Sequence, residues 1–379
     1  MESSAFLREV RMIEFTNRWL WRFIRPFVKR QLARRCVNCV IPESYTPLGE
    51  DELCADCREL TPKTRQSSPP YQSSSGDVEN ILRHYAERTT GTHDAIVLIS
   101  GGKDSSLLLH HLHSAYPGLR MMTLLVDNGL MSPIALENAA GVRSKFDIDH
   151  LTLQLDPAFV NKGFRFTLTH LDRQERYSIV DLMDGTFTFN AARNMASQLE
   201  IPLIVCGLSK IQAETVFGND HYELPPGREL AAFEELANTK LDEIFDENDL
   251  KRFWDKSKNP DQEPPRFLMP FVSWDPTEDF ILAEVERLGL LRKDRTRPLL
   301  TNNALIPVIT MAEINHFGYS SFEVEFSKMI RAGKSNLAYW RNLFEMAEYS
   351  AKTGRLLSES TVETLKTLGL SKKDIGFTS

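Results

Sequence analysis

Residues 100–106, SGGKDSS, place two glycines, a lysine, an aspartate and three hydroxyl side chains at one strand-to-helix turn. Two adjacent glycines let the backbone pass close to an anion, and the amides of a helix N-terminus point toward negative charge. Asp104 can hold a magnesium ion that bridges phosphates. Further hydrogen-bonding groups come from Ser100, Gly101, Gly102, Lys103, Ser105 and Ser106. This turn is therefore predicted to bind phosphate.

Four cysteines form a second group of residues with chemically reactive side chains. Cys36 and Cys39 are followed, after fourteen residues, by Cys54 and Cys57. Two such pairs can complete a tetrahedral thiolate site, the usual arrangement for structural zinc, whereas catalytic zinc keeps an open position. Thiolates also hold iron–sulfur clusters, which remain the alternative. Paired cysteines of this kind suit a reducing compartment, so we expect a cytoplasmic protein.

The N-terminal segment differs from the rest of the chain in charge. Residues 1–35 carry nine Lys/Arg against three Asp/Glu, a balance of +6 in a chain of net charge −7, so the remainder carries −13. Aromatic and basic residues alternate there, namely Trp19, Trp21, Phe23 and Phe27 with Arg18, Arg22, Arg25, Lys29 and Arg30. A helix of this composition can contact an anionic membrane surface or nucleic acid. It can equally pack on its own protein with solvated arginines. The segment lacks the long apolar core of a secretory signal, and no stretch reaches the length of a membrane span.

Alternating apolar runs and helical patterns predict the elements that position these residues. Strands are expected at 94–100, 120–126, 149–155 and 202–207, with helices at 105–114 and 186–199. This alternation predicts a doubly wound parallel α/β sheet. Ligands bind at the carboxyl ends of such strands, where SGGKDS, DNG and CGLSK all fall. We expect a basic leader (1–35), a four-cysteine ribbon (36–60), a linker and helix (61–90), a core (91–218) and an acidic insertion with a helical region (219–379).

The SGGKDS turn after a buried strand resembles the PP-loop of the N-type ATP pyrophosphatases, which have an adenine nucleotide alpha hydrolase-like fold. Those enzymes cleave ATP between the α and β phosphates and hold the departing pyrophosphate in this loop. The resemblance implies ATP and magnesium as cofactors, with Lys103 and Asp104 as catalytic residues. It also implies that adenine and ribose lie over strand ends that include Val126, Asp127 and Gly207.

The order of parts is similar to that of the N-acetyl sugar amidotransferases of surface-polysaccharide and flagellar-glycan assembly. The shared features are the CxxC pair, SGGKDS, DNG and a helical tail reading FSKMIRAGKS at 326–335. This resemblance implies adenylation of a carbonyl oxygen and displacement of AMP by ammonia. Charge stabilisers would be Lys210, Arg331 and Lys334. Since no glutaminase domain is recognised, the nitrogen would come from free ammonia or from a separate glutaminase subunit.

Three departures from that pattern leave other functions open. The basic leader is extra, residues 219–265 do not align, and Cys206 stands at a strand end where a small polar residue is expected. A cysteine there can pack as a small hydrophobe or can carry a persulfide. The first alternative function is therefore thiolation of a tRNA base or a small molecule. The second is a catalytically silent nucleotide-binding scaffold, against which the intact SGGKDS argues.

Overall fold

A parallel sheet with strand order β3-β2-β1-β4-β5 forms the centre of the structure. The computed structural model describes residues 3–59, 71, 76–88, 90–218, 221–258, 260–296, 303–355 and 357–377. The strands within these residues are β1 (Ala95–Leu98), β2 (Met121–Asp127), β3 (Asp149–Gln154), β4 (Leu203–Val205) and β5 (Arg266–Leu268). The predicted doubly wound parallel sheet is confirmed, as are its four predicted strands.

Helices surround the sheet and form most of the C-terminal region. They are α1 (Ser3–Phe15), α2 (Trp21–Val28), α3 (Ala55–Arg58), α4 (Asp77–Ala86), α5 (Lys103–Ala115), α6 (Pro133–Arg143), α7 (Pro157–Thr169), α8 (Ile179–Gln198), α9 (Lys210–Phe217), α10 (Arg228–Leu236), α11 (Glu247–Leu250), α12 (Pro270–Trp274), α13 (Glu278–Arg287), α14 (Leu305–Phe317), α15 (Ser321–Arg331), α16 (Leu337–Thr353) and α17 (Glu359–Thr367). A π-helical segment, Thr16–Leu20, joins α1 to α2. Short 3₁₀ turns occupy Lys29–Gln31, Leu171–Arg173, Leu241–Glu243, Lys256–Lys258, Lys293–Arg295 and Lys372–Ile375.

Among the described residues, no helix is both long enough and apolar enough to cross a bilayer. Of the predicted Ser/Pro-rich linker, residues 61–70 and 72–75 lie outside the described residues.

The central strand β1 is buried on both faces, as expected for a strand covered by helices on each side. Ile96 and Leu98 face a core that includes Phe164 of α7, whereas Ala95 and Val97 face a second core that includes Leu108 of α5. The alternation follows from the two-residue period of a strand. β1 pairs with β2 on one side and with β4 on the other. The strand order therefore reverses between β1 and β4, and this reversal opens a crevice at their carboxyl ends.

The sheet extends beyond the core boundary expected at residue 218. β5 follows the acidic stretch and pairs with β4, with Arg266 opposite Leu203. The acidic stretch itself is anchored by a buried ion pair, in which Arg193 Nε lies 2.7 Å from Glu229 Oε1. The sheet core thus includes residues up to 268. The sequence did not reveal β5 because a three-residue strand preceded by two prolines carries no readable periodicity.

One face of the leader packs against the C-terminal helices. Trp21 is fully buried, and its indole N–H donates to Glu345 Oε2 at 2.9 Å. Asn17 is also buried and donates to the carbonyl oxygen of Tyr339 at 3.3 Å. These contacts hold α1, the π-helical segment and α2 as one edge of the helical region.

A buried guanidinium connects the start of the ribbon to two C-terminal helices. Arg35 has a side chain that is only 3% exposed, and it lies 2.5 Å from Glu323 of α15 and 2.6 Å from Glu348 of α16. Both carboxylates are essentially inaccessible to solvent. The desolvated charges therefore depend on one another for compensation.

We expect Arg35→Ala to lower the free energy of unfolding by about 3–5 kcal/mol, because Glu323 loses its buried cation and Glu348 keeps its second ion pair, with Lys352 at 2.6 Å, but loses the buried one. The matched control is Arg34→Ala, whose exposed ion pair with Glu43 spans 3.3 Å. Exposed pairs contribute about 0–1 kcal/mol, so this variant should unfold close to the wild type. Urea denaturation monitored by circular dichroism gives both values, and equal effects of the two substitutions would contradict the assignment.

Candidate active site and cysteine cluster

The SGGKDS turn has a backbone that only glycine can adopt at its tightest point. Gly101 has φ of +72°, in the left-handed region that strains other residues. A Cβ at this position would lie 1.9 Å from the carbonyl oxygen of Ala135 in α6. The glycine therefore allows α6 to pack directly against the turn and fixes where α5 begins.

Hydrogen bonds within the turn hold it in shape. The amide of Ser100 donates to Ser105 Oγ at 3.2 Å, and Ser106 Oγ donates to the carbonyl oxygen of Gly102 at 2.7 Å. Asn138 of α6 donates to the carbonyl oxygen of Gly101 at 3.0 Å. Among the described residues, no side chain caps the N-terminus of α5. Its first amides are thus oriented as donors for an anion, and this geometry fits a phosphate group.

Lys103 and Asp104 form an ion pair at the start of α5. Lys103 Nζ lies 2.8 Å from Asp104 Oδ2, and the lysine side chain is 8% exposed while the aspartate is 32% exposed. Burial opposes the charge of Lys103, but the carboxylates of Asp104 and Glu278 together raise its pKa overall. The lysine therefore stays cationic at the place where phosphate charge would develop.

The carboxyl end of β4 closes against this turn, as the strand order requires. A Cβ at Gly207 would make a tight contact of 3.3 Å with the amide nitrogen of Ser105, so glycine at this position lets the end of β4 lie close against the first turn of α5. A cavity of about 300 Å³ opens beside them. Its lining includes six residues expected at the site, namely Ser100, Asp104, Ser105, Val126, Cys206 and Gly207.

Cys206 lies in that cavity wall as a buried thiol. It is 5% exposed, and its amide donates to the carbonyl oxygen of Leu268 in β5 at 3.0 Å. Burial raises the pKa of the Cys206 thiol to about 12. The environment thus favours the protonated, packing form of this side chain over a thiolate.

Two half-buried carboxylates of α8 were missed by the sequence reasoning. Asp181 and Asp184 line the same cavity as the turn. Asp184 accepts hydrogen bonds from Asn128 Nδ2 at 2.6 Å and from Asn303 Nδ2 at 3.2 Å, and burial raises its pKa to about 6. Burial also raises the pKa of Asp181, which accepts a hydrogen bond from Tyr177. Their three-residue spacing within an apolar helix was the available signal, but the helix had been predicted to begin at residue 186.

Helix α15 connects the cavity side of the molecule to the cysteine cluster. Burial raises the pKa of Glu325 to about 8, and this carboxyl interacts electrostatically with Asp181, Lys103 and Asp104. Six residues later, Arg331 donates to Cys39 Sγ at 3.7 Å and pairs with Asp56 at 2.9 Å. The expected phosphate-side residue Arg331 is therefore placed on the cysteine cluster instead, because its helix runs away from the turn.

Three other predicted site residues have the following contacts. Asp127, at the end of β2, accepts a hydrogen bond from the amide of Gly129 at 2.8 Å. Lys210 begins α9 and lies 3.9 Å from Glu214. Lys334 pairs with Asp275, and its carbonyl oxygen accepts from the amide of Glu278 at 3.2 Å. Because Glu278 also interacts electrostatically with Lys103, the two lysines have this glutamate as a common neighbour.

The four predicted metal ligands come together in one buried cluster. The Sγ atoms of Cys36, Cys39, Cys54 and Cys57 all lie within 4.8 Å of one another. The Cys39 and Cys54 sulfurs are 3.8 Å apart. A tetrahedral zinc site with Zn–S bonds of about 2.3 Å places its sulfurs about 3.8 Å apart. The donor set therefore fits a single tetrahedral metal ion.

The chain shows distant similarity to known proteins. No family model matches the chain. An uncharacterized protein of Methanocaldococcus jannaschii is 31% identical over 104 residues, which is 27% of this chain and 35% of that protein. The match thus spans about a third of that relative's length.

Two solved structures are similar at low TM-scores. One is the U34-tRNA thiolase NcsA from Methanococcus maripaludis with its 4Fe–4S cluster, at 13% identity and a TM-score of 0.32, covering 81% of this chain and 90% of that one. The other is the NH₃-dependent NAD synthetase from Campylobacter jejuni in complex with nitrate, at 12% identity and a TM-score of 0.27, covering 48% of this chain and 77% of that one. Scores this low do not establish a common fold.

We expect metal analysis of the purified chain to give one zinc per chain, held by the four-cysteine cluster. Cys39→Ser should lose the metal and lower the thermal midpoint, because metal binding in such sites contributes folding free energy. The matched control is Cys206→Ser, a buried cysteine outside the cluster, which should keep the zinc. Stoichiometric iron and acid-labile sulfide in the wild-type chain would contradict the zinc assignment.

Proposed function

We infer that this chain is an AMP-forming enzyme of the PP-loop ATP pyrophosphatase type. The observation that carries the proposal is the rigid SGGKDS turn at the strand-order reversal, with uncapped α5 amides and a cationic Lys103 beside a cavity. The sequence motif that resembles the PP-loop occupies that turn. A catalytically silent scaffold would not need the half-buried carboxylates that line the same cavity.

In the first step the substrate's carbonyl oxygen attacks the α-phosphorus of ATP. A new phosphorus–oxygen bond forms, the bond between the α and β phosphates breaks, and pyrophosphate takes the electron pair. The α5 amides and Lys103 are placed to stabilise that charge as it develops. Asp104, which is one-third exposed beside the turn, would hold a magnesium ion that neutralises the phosphate oxygens.

In the second step ammonia attacks the activated carbon, and AMP leaves with the former carbonyl oxygen. The nitrogen releases a proton, and a carbonyl group is thereby replaced by an imino group. We place an N-acetyl sugar in the acceptor role, giving an acetamidino product. The cavity supports this choice, because Asp181 and Asp184 supply carboxylates for sugar hydroxyls while Val126 and Ile309 add apolar wall. Orientation of the partners in a confined space accounts for much of the expected acceleration.

The proposed reaction predicts AMP and pyrophosphate as products in the presence of magnesium, ATP, ammonium and nucleotide-linked N-acetyl sugars. Asp104→Asn should lower turnover on the order of 100-fold or more, because it removes the carboxylate that would hold the magnesium ion at the developing phosphate charge. The exposed Asp172 gives a matched control, and Asp172→Asn should stay close to wild type. Chromatographic identification of ADP and phosphate as the products would exclude this reaction class.

A substitution of Cys206 distinguishes the proposed nitrogen transfer from sulfur transfer. Its raised pKa and burial favour a packing role, so Cys206→Ala should retain most of the activity. If sulfur were delivered through a persulfide, the thiol would be the covalent carrier and the same change would abolish turnover. Steady-state rates of the folded variant, with ATP binding measured in parallel, make the distinction. Complete loss of turnover with ATP binding intact would contradict the amidotransferase assignment and support thiolation.

A further inference from the structure

The helical leader exposes a row of aromatic side chains, called here the aromatic face. Phe15, Trp19, Phe23 and Phe27 recur every four residues along α1, the π-helical segment and α2, with 54%, 57%, 61% and 88% of their surfaces exposed. Met12 and Leu20 lie exposed in the same segment. Large apolar side chains clustered in this way mark interaction surfaces.

The exposure does not result from a loosely held segment. Val10, Asn17, Trp21 and Val28 of the same helical segment are buried, and Trp21 bonds to Glu345. Arg25 adds an ion pair to the same carboxylate at 2.7 Å. The inner side of the helix is therefore fixed on the body of the protein, which holds the aromatic face outward in a defined orientation.

Cationic groups flank the aromatic face. Arg22, Lys29 and Arg30 are exposed and form no ion pair with a carboxylate among the described residues. The guanidinium of Arg22 lies 4.6 Å from the ring centroid of Phe23, so charge and aromatic surface are directly adjacent. The leader has a formal charge of +6 in a chain of −7, and Arg22, Lys29 and Arg30 are cations that lie exposed beside the aromatic residues of the same segment.

We propose that the aromatic face binds the surface of an anionic lipid bilayer. The helix would lie in the plane of the interface, with the aromatic rings between headgroups and acyl chains and the cations on lipid phosphates. Exposed Met12 and Leu20 favour a hydrocarbon environment over a nucleic acid, which offers ring faces but no apolar interior. The binding is independent of the proposed catalytic reaction and requires no turnover.

Cosedimentation of the full chain with vesicles tests this surface. Vesicles of phosphatidylcholine mixed with phosphatidylglycerol should bind the chain, and vesicles of phosphatidylcholine alone should bind it far more weakly. Replacing Arg22, Lys29 and Arg30 by Gln should weaken binding on the order of 100-fold, since each charge near the surface contributes about fivefold. Phe23→Ser and Phe27→Ser should each weaken it about 10-fold.

A matched control uses Leu199, which is 45% exposed, directly follows α8 and is not part of the leader. Leu199→Ser should leave vesicle binding unchanged. Equal binding to neutral and anionic vesicles, or no effect of the phenylalanine substitutions, would overturn the proposal. It would also fail if the chain formed a dimer in lipid-free solution that Phe27→Ser dissociates, or if an RNA competitor displaced the chain from vesicles.

Discussion

The buried charge of Arg35 is the constraint on which the arrangement of the parts depends. A guanidinium that is almost fully desolvated requires compensating carboxylates, and Glu323 and Glu348 supply them from two separate helices. The start of the cysteine ribbon is thereby tied to α15 and α16. Since α15 also carries Glu325 toward Lys103 and Arg331 toward Cys39, this one helix connects the ribbon to the surroundings of the SGGKDS turn.

The turn itself depends on close approach of backbone segments. Gly101 lets α6 pack against the loop, and Gly207 lets the end of β4 reach the first turn of α5. Both contacts occur where the strand order reverses, which is where a parallel sheet opens a crevice. The cavity beside the turn is lined by Asp181 and Asp184, and burial raises the pKa of both carboxyls, to about 6 for Asp184. The groups proposed to bind phosphate and substrate hydroxyls thus line one cavity.

The leader combines two environments on one helix. Its inner face satisfies buried polar groups such as Asn17 and the Trp21 indole through the C-terminal helices. Its outer face leaves Phe27 88% exposed in a region of positive charge. Packing on the protein and contact with an external surface, which the composition alone presented as alternatives, are therefore compatible because they use opposite sides of the same helix.

Local patterns in the sequence determined much of this protein. The SGGKDS turn, the two CxxC pairs and four strands were readable because each depends on neighbours within a few residues. Tertiary structure alone decided the rest. β5 forms by pairing with β4. The sequence does not predict it, because three residues after two prolines have no periodic signal. The position of Asp181 and Asp184 in the cavity wall, the burial of the Cys206 thiol and the contact of Arg331 with Cys39 have one reason: burial and helix direction depend on residues distant in sequence.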